Sequence, residues 1–558
     1  MSLYSLLSDK RYQFRIFLFV LVSLSILATF LYGNQLFGGD DYYFHNARFE
    51  ALMQSLKDGT FPSYIDYTGM YGYGYLIKPF YSDFILIPYA ALGNITSKEF
   101  AYIFLLFSMT ILCGIFMYIT VNKIYKSSYA AAISALLYTF SLYRLLDVYH
   151  RAALGEALSF TFLPIVFLGL HYIVKGDYRK WYIITIGFSL MILTHVLSSV
   201  LLFITVIIIL LISYKDLQKE PKRIYYLILA GFVTFIIAGY YIFPFLEQVL
   251  SNTFYFQKFK TSPYIFSLSR LSIPEIFRDM ADGFSLIKGG SKTGLLLVLP
   301  VLLRFFIKKT DKTKYLKSVD IGVIIGLLYI LMTSTLIPWD RIPLAYMSFI
   351  QFTWRLYEFV CYFFAVAGGY YLYLLCKSNK SKIIALSSLV ILTSLVIIID
   401  AKNYKEMKLP ARSDKNLNEE NHYVKAGMEY VPARTPLPDP FVLERKDSVL
   451  YQQNETVISD FKRNKNIVEF TVTTHQPDSL ELPLIYYKGY SASLDGKDIP
   501  VTQSSHGLVQ VPVDQSGRVE ACYKGTLIQK LSFCTTILSI FALCGYIFVQ
   551  NRKRKHLK

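Results

Sequence analysis

The residues whose types and spacing could do chemistry lie in "GGDDYYFHNARFEAL", residues 38 to 52. On a helix, Asp41, His45, Arg48 and Leu52 fall at i, i+4, i+7 and i+11, within one narrow stripe. Tyr42, Phe49, Met53 and Leu56 form an apolar face beside it. Such a helix is expected to lie flat at a membrane surface, apolar side down, and to end at Gly59 and Pro62. A carboxylate there can take a proton from an attacking hydroxyl. An arginine or histidine can stabilise charge developing on a phosphate leaving group. The plainer reading is a surface helix with ordinary i,i+4 pairing and an aspartate near its N-terminus.

Other polar groups fall in comparable places. "YRLLDVYHRAALGEAL" carries Asp147, His150, Arg151 and Glu156. Its plainer reading is an Asp147–Arg151 pair with Glu156 at the start of the next helix. His195 sits between two apolar runs, as a ligand or as a buried, hydrogen-bonded histidine. "FIQFTWRLYEF" places Trp354, Arg355 and Glu358 at one end of an apolar run, where an aromatic-and-arginine membrane anchor is the alternative. "SRLSIPEIFRDMADGF" offers Arg270, Glu275, Arg278 and Asp279 without a specific spacing.

The elements that must position these residues are membrane helices. Of 558 residues, 54% are hydrophobic and 17% charged, too apolar a balance for a soluble chain of this length. Apolar runs near 13–33, 98–120, 128–146, 157–174, 181–194, 196–213, 224–246, 293–307, 319–337, 356–375, 383–400 and 527–549 predict about twelve transmembrane helices. The pair within 181–213 is short, and one span with a re-entrant turn is the alternative. The net charge of +18 is carried by short loops between these runs, among them "KGDYRK", "YKDLQKEPKR", "CKSNKSK" and the tail "NRKRKHLK". That is the positive-inside pattern of a chain in a lipid bilayer, with both termini cytoplasmic, rather than a nucleic-acid-binding surface. The first run has basic residues before it and no small-x-small cleavage signal after it, so a retained span is expected. The outer loop 34–97, which carries the acidic cluster, is then expected on the extracytoplasmic side of the cell membrane. Five of the six cysteines lie in or beside apolar runs and Cys522 stands alone, with no metal spacing or redox pair.

A polar insert near 401–526 interrupts the apolar pattern. It opens irregularly, then alternates as strands do: Val468, Phe470 and Val472 share one face of "IVEFTVTT", and Asp495-Gly496 reads as a hairpin turn. The expected organisation is a transmembrane domain over 1–403, an extracytoplasmic β-sandwich-like domain over 404–525, and a last helix with a basic tail over 526–558. There is no Walker loop, no Gly-rich dinucleotide motif and no H-E-x-x-H.

A resemblance runs along the chain. "GGDDYYFHNARFEALMQSLKDGTFP", "HRAALGEALSFTFLPIVFLGLH", "LTHVLSS", "YYIFPFLEQ", "IQFTWR", "MEYVP" and "YYKGYSASLDGKDIPV" followed by "GLVQVPV" occur in that order. With them the chain resembles the YfhO-like bacterial membrane proteins, also labelled 6-pyruvoyl-tetrahydropterin synthase-related, which look like members of the GT-C superfamily of polyprenyl-linked glycosyltransferases. Nothing in the residues suggests pterin chemistry. The resemblance implies a GT-C-like fold and an integral membrane glycosyltransferase. The donor would be a sugar on a polyprenyl phosphate. The acceptor would be a cell-surface glycopolymer such as a teichoic acid or wall polysaccharide.

The family's first-loop acid, four residues before the histidine of "FH", maps to Asp41, with Asp40 second. Glu156 would be a further acid of the site. His45, Arg48, His150, Arg151, His195, Arg355 and Glu358 would bind donor phosphate or substrate. No cofactor is required by this reading, although Asp40 and Asp41 could hold a divalent metal. The rival classes are a flippase, transporter or assembly factor for lipid-linked sugars, and a glycan sensor. A transporter should show inverted repeats and broken helices near the bilayer midplane.

Overall fold

A computed structural model describes residues 10–33, 39–62, 64–258, 269–283, 293–308, 313–408, 428–436, 438–453 and 455–556. The irregular opening of the polar insert, 409–427, and part of the basic loop 308–317 lie outside the described residues. Six helices are long and apolar enough to cross a bilayer: Arg11–Gly33, Lys98–Tyr125, Leu154–Val174, Thr353–Leu375, Asn379–Glu406 and Leu527–Lys553. Two bent pairs raise the number to eight if each counts as one span. They are Ser128–Thr139 with Leu142–His150, bent by 42°, and Lys222–Ile237 with Gly239–Ser251. The protein is thus a polytopic helical membrane protein. The 181–213 stretch is two helices, Tyr182–Ile192 and Val196–Ile212, broken at Leu193–His195.

The chain divides into two compact units. The first gathers 1–42, 99–234 and 261–415, and holds most of the long helices. Its packing follows membrane rules, in which small residues let helices approach closely. Helices Leu154–Val174 and Tyr182–Ile192 meet at two glycines. A Cβ on Gly169 would lie 2.2 Å from the backbone nitrogen of Ile184, and one on Gly187 would lie 2.8 Å from that of Val166. Helix Ser128–Thr139 is capped by Ser127, whose side chain accepts the N–H of Ala130. At the end of the bent pair's second half, Leu146–His150 form a π-helical turn. Such turns interrupt the regular ladder and are frequent at functional sites.

The second unit gathers 43–98, 235–260 and 416–558. It holds helix Tyr42–Lys57 from its second residue on, a short β1–β2 pair (Ile65–Asp66 and Tyr75–Leu76), and eight strands. These are β3 (Val457–Asn464), β4 (Ile467–Thr473), β5 (Asp478–Ile485), β6 (Tyr490–Leu494), β7 (Lys497–Ile499), β8 (Thr502–Gln503), β9 (Leu508–Val513) and β10 (Gly517–Tyr523). One antiparallel sheet has the order β3-β4-β10-β6-β7, the other β5-β9-β8. Alternate side chains from both, including Val468, Phe470, Val472, Leu480, Leu482, Val509, Val511 and Val519, share one core. Asp495 and Gly496, both at positive φ, make the two-residue turn that pairs Leu494 with Lys497.

The surface-helix expectation for 40–57 needs correction. The helix begins at Tyr42, so Asp41 precedes it. Its polar stripe is not exposed: His45 and Arg48 are 2% and 3% exposed, as buried as Tyr42 and Phe49 on the apolar face. The cause is Arg48, whose guanidinium donates to the carbonyls of Tyr81 and Ser82 and draws that stripe inward.

The close helix approach is testable. Gly169→Ala should destabilise the detergent-solubilised protein by about 1–3 kcal/mol, because backbone opposes the new methyl. Gly231→Ala, where nothing lies within 4 Å, should not. Thermal unfolding of the two variants checks this; equal midpoints would contradict the packing.

Candidate functional site

The segment 39–41 is held against the turn that follows the π-helical residues. Asp41 N–H donates to the carbonyl of Arg151 at 2.8 Å. Gly39 is needed for that approach, since a Cβ there would lie 2.5 Å from the Ala152 methyl. Ala152 itself takes a φ of 52°, turning the chain so that Arg151 and Glu156 point back together. Asp41 is half-buried and Asp40 exposed.

Behind this loop lies a buried ion cluster. Arg151 donates through Nη1 to Asp147 Oδ1 at 2.6 Å and to Glu156 Oε2 at 3.1 Å. Arg355 brings its Nε to 3.3 Å from the same Glu156 oxygen, and its Nη1 donates to the carbonyl of Ile350. Tyr143 donates to the other oxygen, Glu156 Oε1, at 2.5 Å. Asp147 and Glu156 are 0% and 1% exposed, so each carboxylate depends on these partners rather than on water. Asp41 lies in the field of the same two arginines. Burial pushes its carboxyl above the ordinary aspartate range; Arg151 and Arg355 pull it down, and Asp40 and Glu156 push it up. A carboxylate so placed is a stronger base than an exposed one.

Glu358 extends the cluster into the helices. It contacts Ser159 Oγ at 2.6 Å and Ser198 Oγ at 2.7 Å. His195 caps helix Val196–Ile212, its Nδ1 accepting the N–H of Ser198 and lying 2.8 Å from that residue's hydroxyl. Of the residues singled out in the sequence, the structure therefore brings together Asp41, Arg151, Glu156, His195, Arg355 and Glu358, with Asp147.

His150 is engaged elsewhere. Its Nε2 lies 2.7 Å from Asp400 Oδ2, an oxygen that also accepts from Tyr32, and its ring packs 4.3 Å from that of Tyr404. His45 and Arg48 belong to the second unit, where Arg48 Nη1 meets His45 Nδ1 at 2.9 Å and the guanidinium covers the Tyr81 ring at 4.1 Å. Asp83 lies 3.7 Å from Arg48 and 3.6 Å from Lys78. Burial raises the Asp83 carboxyl and lowers the Lys78 ammonium from their ordinary ranges.

Sequence reasoning missed Ser159, Ser198 and Tyr143 as site groups and Asp400 as the partner of His150. Two carried a signal. Ser159 lies one helical turn beyond Glu156, and Asp400 is an acid ending the apolar run "SLVIIID". For a metal, Asp40 and Asp41 offer two carboxylates, but among the described residues no three His, Cys, Asp or Glu side chains are grouped to hold an ion.

No protein-family model matches the chain. It is similar to an uncharacterised protein of Lactococcus lactis subsp. cremoris (strain MG1363), 24% identical over 255 residues. That match covers 44% of this chain and 41% of the relative, so the chain spans less than half of the relative's length.

The ion cluster predicts strong coupling. Arg151→Gln leaves Asp147 and Glu156 short of a cation and should cost about 3–5 kcal/mol. Adding Asp147→Asn should recover part of that loss. Thermal unfolding of the single and double variants checks it, and strictly additive losses would contradict the cluster.

Proposed function

We propose that this protein is a GT-C-like integral membrane glycosyltransferase of about twelve spans. It would work on the extracytoplasmic side of the cell membrane, with both termini cytoplasmic. It would move a sugar from a polyprenyl-phosphate donor to a cell-surface glycopolymer such as a teichoic acid or wall polysaccharide. The observation that carries this reading is Asp41. It is a half-buried carboxylate in a loop beside a membrane span, made more basic by burial and placed in the field of Arg151 and Arg355.

In the mechanism, Asp41 takes the proton of the acceptor hydroxyl as its oxygen attacks the anomeric carbon. The bond to the polyprenyl phosphate breaks on the opposite face, so the sugar inverts. Arg151 and Arg355 are cations whose field reaches Asp41 and would balance the charge that grows on the departing phosphate. Asp147 and Glu156 hold those two guanidiniums in place, so they act as positioning residues. Aromatic side chains of the outer loops supply faces on which sugar rings can stack.

A second reading, a flippase or transporter for lipid-linked sugars, is favoured by a different observation. Ionisable groups lie within membrane helices: Asp147, Glu156, Arg355 and Glu358. Charges buried at that depth commonly mark transport and proton pathways. The broken helix at Ser128–His150 fits the same reading.

Transfer of radiolabelled sugar from polyprenyl phosphates to a wall polymer, by full-length protein in liposomes, separates the two. Asp41→Asn should lower turnover about 10²–10⁴-fold with donor binding retained, while Asp40→Asn should change it only a few-fold. Transfer by Asp41→Asn at the wild-type rate would overturn the base assignment. Movement of the labelled lipid between leaflets without any transfer would put the transport reading first.

The pH profile has a defined sign. Asp41 is active ionised, and burial raises its pKa. Turnover should therefore fall with decreasing pH at a higher pH than for an ordinary carboxylate. Arg355→Gln removes a group that lowers this pKa, so it should move the acid limb to still higher pH. A limb that stays in place on removing Arg355 would contradict the electrostatic account.

A further inference from the structure

Four buried groups can be assigned protons by counting. Ser159 and Glu358 are 0% exposed, Ser198 1% and His195 7%. Each serine hydroxyl has one proton to donate. His195 Nδ1 accepts the backbone N–H of Ser198 at 3.3 Å, so it presents a lone pair and the ring proton sits on Nε2. The 2.8 Å contact from Ser198 Oγ to that same Nδ1 therefore uses the Ser198 proton. Ser198 Oγ also lies 2.7 Å from Glu358 Oε2. With the serine proton committed to the histidine, this contact needs a proton from the carboxyl. The other carboxyl oxygen is an acceptor: Ser159 Oγ lies 2.6 Å from Glu358 Oε1 and 2.6 Å from the carbonyl of Glu156, which share its one proton in a three-centre bond, and its oxygen lies 3.3 Å from Ser198 Oγ.

We infer that Glu358 is a neutral acid that donates to Ser198, which donates to His195, so that the three form a proton relay inside the membrane domain. The charged groups around it agree. Glu156, on helix Leu154–Val174, and Asp147, on the π-helical turn, both lie within electrostatic reach of Glu358 and oppose a further negative charge there. Arg355, near the start of Glu358's own span, favours such a charge but is already set against Glu156. At the other end, His195 lies within reach of Arg355, Glu156 and Arg151, which connects the relay to the ion cluster.

The step balances. The Glu358 O–H bond breaks as a new O–H forms on Ser198. The original Ser198 O–H breaks as N–H forms on His195 Nδ1. A carboxylate and an imidazolium result, and the reverse transfer restores the neutral pair. Nothing in this assignment depends on sugar transfer; it holds equally for the transport reading.

Infrared spectroscopy of the full-length protein in liposomes at neutral pH tests it. A neutral carboxylic-acid carbonyl band should be present and should move on ¹³C-glutamate labelling, which requires no substitution. The band should vanish in Glu358→Gln, whose amide can donate to Ser198 and accept from Ser159 and so keep the fold. It should shift to higher wavenumber in Ser198→Ala, where the acid loses its acceptor. A wild-type protein with no glutamate-labelled acid band, or a band that survives Glu358→Gln, would overturn the neutral acid. A band that is unmoved in Ser198→Ala would overturn the relay.

Discussion

The structure around Asp41 depends on one arrangement, the Arg151 guanidinium set between Asp147 and Glu156. The two carboxylates there are removed from water and the guanidinium is largely so, and no pair among them can be broken cheaply. Arg151 fixes the end of the π-helical turn, and the carbonyl of the same residue receives the Asp41 N–H. Arg355 is drawn to Glu156 from the start of another span. A loop outside the spans, a turn and two membrane helices are thereby tied to one buried cation.

This arrangement explains why a chain so apolar carries so dense a polar patch. In hydrocarbon an isolated carboxylate is costly, so buried acids and bases are retained in compensating groups. The cluster is compensated but not neutral. The acid in excess of the two arginines is Asp41, and it sits half-buried at the margin of the cluster. Deeper in, Glu358 meets the same constraint differently, through hydroxyl contacts and a proton instead of a counter-charge. One rule of physical chemistry, that charge must be compensated away from water, thus sets one acid beside two cations at the edge and a neutral one within.

Much of this was legible from residues alone, for identifiable reasons. The long spans are written in uninterrupted hydropathy, and the β-rich segment in the period-two run of Val468, Phe470 and Val472 with its Asp-Gly turn. Asp147–Arg151 follows from i,i+4 spacing. The direction of the 42–57 helix did not follow, because Arg48 is drawn in by the carbonyls of Tyr81 and Ser82, partners more than 30 residues away. His150 was read as a phosphate ligand, whereas the structure sets it against Asp400, 250 residues distant. The Ser159–Glu358–Ser198 contacts join three helices through side chains whose types are ordinary in membrane spans. Local pattern carries no trace of such pairings; only the packed helices create them.

The central claim is that Asp41 is the chemically competent acid, raised by burial and restrained by Arg151 and Arg355. Residue-resolved carbodiimide labelling of the full-length protein across pH, read by mass spectrometry, measures its protonation directly. The account predicts a midpoint for Asp41 above the ordinary aspartate value of about 3.9, moving higher when Arg355 is changed to Gln. A midpoint at the ordinary value, unmoved in Arg355→Gln, would show Asp41 to be a solvated loop residue and would contradict the account.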